Sequence, residues 1–88
     1  MKGMQPVSPK NFDRALKSNI VSEVRAVRNK KGIWKIYFMI NLELSEDMIF
    51  VLTTQRGEIK EWKTLAGLFT FLDEKKLVNK KLRLIEEE

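Results

Sequence analysis

IWKIYFMINLELSEDMIFVLTTQRGEIKEWKTL, residues Ile33–Leu65, is the stretch that decides the fold. From Ile33 to Leu44 its side chains alternate. Trp34, Ile36, Phe38, Ile40, Leu42 and Leu44 fall on one face; Ile33, Lys35, Tyr37, Met39, Asn41 and Glu43 fall on the other. A period of two is that of a β-strand, and the first set faces a core. The second set is more apolar at Ile33, Tyr37 and Met39 than a free surface needs, so either the first helix or another molecule covers it. Ser45-Glu46-Asp47 turns the chain. Met48 to Gln55 reads as the next strand, apolar on both faces at its start, as a central strand is. Arg56-Gly57-Glu58 is a tight hairpin turn in which glycine supplies a positive φ. Ile59 to Lys63 then returns as a short strand. Thr64 caps a helix from Leu65 to about Lys76, with Leu65, Leu68, Phe69 and Leu72 as its apolar stripe. Lys75 and Lys76 suit the negative end of that helix dipole.

Upstream of this stretch, residues 1–7 carry Gly3 and Pro6 and no periodicity, and read as a disordered start. Ser8-Pro9 is a helix-start signal, Ser as N-cap and Pro at the first helical position. A short helix follows to about Lys17 or Ser18. Phe12, Leu16, Ile20, Val24 and Val27 keep helical spacing as far as Asn29, so one long helix is an alternative. The β-branched Val21, Val24 and Val27 favour a break at Ser18-Asn19 and a strand from Ile20 to Asn29. Asn29-Lys30-Lys31-Gly32 is then a turn. Downstream, Lys81 to Ile85 fits a last edge strand, and residues 86–88 are a frayed acidic tail. The expected fold is α+β in one domain over residues 8–85. It has a short N-terminal helix and an antiparallel meander of about four strands packed against the C-terminal helix.

The 88 residues include no cysteine and no histidine. Disulfides and thiolate metal sites are thereby excluded, and histidine acid–base chemistry with them. Glu43, Glu46 and Asp47 lie in a turn without the spacing of a calcium loop. The expectation is a non-enzymatic protein with no cofactor and no metal. The first ten residues have no apolar core of a signal peptide, and the longest apolar run, Ile36 to Ile40, is too short to span a bilayer. A cytoplasmic location, with no membrane contact, fits these features. So short a chain buries a modest core, and a homodimer would add to it.

Charge is distributed unevenly. Residues 1–42 hold nine Lys/Arg and two Asp/Glu, whereas residues 43–88 hold eight and ten. Arg25, Arg28, Lys30, Lys31 and Lys35 cluster about one turn, with Tyr37 just beyond. Cations attract phosphate, and an aromatic on a sheet surface stacks bases, so these six are the candidate nucleic-acid-binding residues. Incidental lysines on a solvated surface are the plainer reading. Under that reading the protein is a protein–protein adaptor or a homodimerisation domain.

Two further residues invite a role. Arg56 at the hairpin tip reads as a polar loop residue before it reads as a phosphate grip. Trp62 reads as closing the end of the core before it reads as an exposed anchor. Between Thr53 and Leu72, Thr54, Arg56, Gly57, Trp62, Lys63, Leu65 and Leu72 form a pattern. It resembles one that recurs in small proteins of bacterial plasmids and integrative elements, some of them associated with replication or partition. The resemblance covers about a quarter of the chain. It implies mobile-element biology and assigns no site.

Overall fold

Ser8 and Thr64 set where the two helices begin. In the computed structural model, which describes residues 5–40, 48–77 and 82–86, the Ser8 hydroxyl accepts from the Asn11 N–H at 3.3 Å and helix α1 runs Pro9–Lys17. The Thr64 hydroxyl accepts from the Gly67 N–H at 3.1 Å and helix α2 runs Leu65–Glu74. Each cap satisfies a backbone donor that has no partner within its helix. Helix α1 ends at Ser18, and Asn19 turns the chain away at φ 56. Asparagine tolerates that left-handed conformation better than most residues do. Beyond it the chain is a strand, so the helical spacing that continues to Val27 is coincidental.

The strands are β1 (Gln5–Val7), β2 (Val21–Arg28), β3 (Trp34–Ile40), β4 (Met48–Leu52) and β5 (Leu82–Glu86). They form one sheet in the order β1-β4-β3-β2-β5. Strand β3 is antiparallel to β2 and to β4, while β1 pairs parallel with β4 and β5 parallel with β2. Strand β3 therefore runs alone against the other four.

This mixed five-stranded sheet corrects the expected four-stranded antiparallel meander. The reason lies in the connections. A hairpin reverses the chain, but a helical crossover returns it to the same end of the sheet. Helix α1 lies between β1 and β2, and α2 between β4 and β5, so both pairs share one direction. Residues 5–7, read as part of a disordered start, form edge strand β1, and Glu86, read as frayed tail, closes β5. The expected strand at Ile59–Lys63 is reduced to two isolated bridges, Thr53 with Ile59 and Trp34 with Trp62. The expected continuation of β3 to Leu44 and the turn at Ser45-Glu46-Asp47 lie outside the described residues.

Register confirms the facing read for β3. Trp34, Ile36 and Phe38 are buried with Val24 and Ala26 of β2 and Leu52 of β4. Phe12 of α1 and Leu68 and Leu72 of α2 close over them, so both helices cover the same face of the sheet. Ile40, Phe50 and Phe69 pack at the margin as half-buried residues. Leu65 departs from the expected core and is 43% exposed. As the first residue of α2 it projects beyond the sheet. No helix among the described residues is long and apolar enough to cross a membrane.

At the hairpin after β4, the Thr54 N–H donates to the Glu58 carbonyl at 2.6 Å and the Gly57 N–H to the Thr54 carbonyl at 3.0 Å. Gly57 has φ 90, and a Cβ there would meet nothing within 4 Å. A side chain at this position is thus penalised through the backbone alone. Gly57→Val is expected to destabilise the fold by about 1–2 kcal/mol, the cost of a left-handed L-residue. Urea denaturation measures it, and an unchanged midpoint would show the turn indifferent to its glycine.

Candidate nucleic-acid interface

Strand pairing carries the basic residues onto two faces. Residues directly opposite one another across a pair of strands point to the same side of the sheet. Arg25 is opposite Tyr37 of β3 and also opposite Arg83 of β5, and Tyr37 is opposite Val51 of β4. Val24, Ala26, Ile36 and Phe38 face the helices, so Arg83, Arg25, Tyr37 and Val51 form a row across the opposite face. Val27 carries Lys35 and Ile85 on its two sides in a second row. A third row holds Glu23, Met39 and Ile49. No described helix covers this face. Its cations Arg25, Lys35 and Arg83 stand against Glu23, with Glu61 beside Lys35.

The expected cluster is therefore divided. Arg25, Lys35 and Tyr37 lie on the open face. Arg28 is opposite Trp34 and on the helix side, its guanidinium 5.7 Å from the Trp34 ring and paired with Glu86. Lys30 and Lys31 are exposed at the turn between the strands. That turn is well formed. The Asn29 carboxamide oxygen accepts from the Lys31 N–H at 2.9 Å and from the Ile33 N–H at 3.1 Å, and Gly32 supplies φ 81.

Carboxylates engage part of the positive charge. Glu23 holds the Arg25 Nε, and Glu61 stands 3.9 Å from the Lys35 Nζ. Partly exposed pairs of this kind contribute at most about 1 kcal/mol, and they lower the local field. Among the described residues neither Lys30 nor Lys31 forms an ion pair with a carboxylate. Glu86, paired with Arg28, lines the same concavity as the two lysines.

Arg83 joins this face from β5, far along the chain from the other cations. Its alternation with Leu82 and Leu84 marks it as facing away from the helices. Only the parallel pairing with β2 sets it beside Arg25.

Trp62 and Arg56 take the plainer roles. Trp62 is buried and exchanges backbone hydrogen bonds of 2.8 and 2.9 Å with Trp34. Arg56 is exposed at the loop tip. Among the described residues no three His, Cys, Asp or Glu side chains are grouped so as to hold a metal ion; Glu43, Glu46 and Asp47 lie outside those residues. Comparison with protein-family models, with curated proteins and with solved structures finds no match to this chain. The pattern from Thr54 to Leu72 draws much of its content from the fold itself, since Gly57 forms the turn and Trp62 and Leu72 fill the core.

Proposed function

We propose that this protein is a non-enzymatic binding module for nucleic acid that grips phosphates with the β2–β3 hairpin. The observation that carries this reading is the pair Lys30 and Lys31, exposed together at the tip of an ordered turn that adjoins Arg25 and Lys35. Cations on a fixed turn neutralise phosphates without reading bases, so binding is weak in sequence preference and steeply dependent on salt. Such a module fits an accessory role in DNA-associated processes of a mobile element in the cytoplasm, the setting implied by the resemblance. The alternative of a protein–protein adaptor or homodimer draws support from half-buried Val27, Met39, Ile49 and Ile85 on the open face.

Fluorescence anisotropy with labelled oligonucleotides at two salt concentrations tests the proposal. The double substitution Lys30→Glu, Lys31→Glu is expected to abolish binding. The control must change net charge equally without touching the fold. Lys75 does not serve, because its Nζ lies 2.7 Å from Asp13 of α1, nor does Lys76, whose φ is 59. Lys10 and Lys17, both exposed on α1, are suitable. Lys10→Glu, Lys17→Glu is expected to weaken binding far less. Equal losses would reduce the effect to net charge, and absence of binding by the unsubstituted protein at low salt would leave the adaptor reading in front.

A further inference from the structure

The open face of the sheet offers more than charge. Arg83, Arg25 and Tyr37 lie side by side on three adjacent strands. At about 4.8 Å between neighbouring strands, the two outer members are roughly 10 Å apart. Lys35 lies two residues from Tyr37 along the same strand and on the same face. The Tyr37 ring stands between these cations and the apolar Val51 and Pro6, which continue the row toward β1. Glu23 holds the Nε edge of Arg25, fixing the guanidinium on the face.

We infer that this face is a platform for single-stranded nucleic acid, with a base stacked on Tyr37 and flanking phosphates held by Arg25 and Arg83. This rests on the nucleic-acid reading above and names both the form of ligand and a further binding residue, Arg83. Charge decides the occupant. Three cations against two carboxylates, Glu23 and Glu61, leave a net positive face that adjoins the lysines of the hairpin tip and complements a polyanion. The aromatic decides its form. A duplex keeps its base faces stacked inside, out of reach of a tyrosine on a sheet surface, whereas a single strand presents them. Beyond buried Val51, exposed Pro6 extends an apolar footing for the flat faces of unpaired bases.

The experiment compares anisotropy titrations of oligothymidine, oligouridine and a mixed-sequence duplex, with circular dichroism confirming that each variant is folded. Single strands are expected to bind more tightly than duplex. Tyr37→Ala is expected to weaken single-strand binding about tenfold, as loss of one stacked base does, and to leave duplex binding nearly unchanged. Tyr37→Phe keeps the ring and is expected to restore single-strand affinity. Arg83→Gln is expected to weaken single-strand binding and to flatten its salt dependence by about one phosphate contact. If Tyr37→Ala and Arg83→Gln bind as the unsubstituted protein does, while Lys30→Glu, Lys31→Glu still abolishes binding, the platform is overturned and the hairpin reading stands. If nothing binds, both fall. Sedimentation that shows a dimer dissociated by Tyr37→Ala, with no nucleic acid bound, assigns the face to a second copy of the chain and overturns the inference.

Discussion

Phe38→Ala is expected to destabilise the protein by about 3–5 kcal/mol, the usual cost of removing a buried phenyl ring. Phe38 is 1% exposed at the centre of β3, the strand that runs against all the others. Its ring centroid lies 4.8 Å from that of Phe12 in α1 and 5.4 Å from that of Phe50 in β4. One side chain thus joins the helix layer to two adjacent strands. Truncation leaves a cavity that neither neighbour can fill without moving its own element. A domain of this size has a total stability of about 5–15 kcal/mol, so the variant would sit near the edge of folding. Urea denaturation followed by circular dichroism measures the change. A loss below about 1 kcal/mol would mean that the site is not packed as described.

Trp62→Ala is expected to cost about 3 kcal/mol, the low end of the range for a buried aromatic, because the indole edge reaches the surface at 9% exposure. Trp62 packs on Phe71 of α2 with ring centroids 5.0 Å apart, and Phe71 in turn stacks near Phe12 at 6.5 Å. The result is an aromatic chain from the Trp34–Trp62 bridge through both helices to Phe38. Thermal unfolding of the variant checks the core role. A large fall in the midpoint is the signature of a core residue. An unchanged midpoint with altered binding would instead mark an exposed anchor.

The residues of the proposed nucleic-acid surface are less legible from the sequence than those of the core. Arg25, Lys30, Lys31, Lys35 and Tyr37 are close along the chain, so a single turn at Asn29–Gly32 brings them together. Arg28 was grouped with them by proximity, yet it stands three residues from Arg25 on a strand. An odd spacing puts two residues on opposite faces. Its phase with Val24 and Ala26 already placed it on the helix side, where Trp34 and Glu86 engage it. Arg83 is 58 residues from Arg25 in the chain, and nothing local to it names its neighbour.

Local chemistry by itself determined the helix starts at Ser8 and Thr64 and the inward face of β3; it favoured the break at Ser18-Asn19 and the β2–β3 hairpin but left one long helix open, which the structure decides against. Each follows from a cap, a turn residue or a period of two, and all act within a few residues. The tertiary structure alone decided that Gln5–Val7 is a strand, that Ile59–Lys63 is not, and that β1 and β5 join the sheet in parallel. Three residues containing Pro6 have no periodicity to read. They are ordered because β4 offers an unpaired edge, where the Thr53 N–H and hydroxyl bond the Val7 carbonyl at 2.9 and 3.1 Å. A parallel edge strand depends on where a helical crossover returns the chain, and that is settled by burial of the helix against the sheet. The physical reason is range: hydrophobic periodicity reports which side of an element is buried, and carries no information on which distant strand will lie beside it.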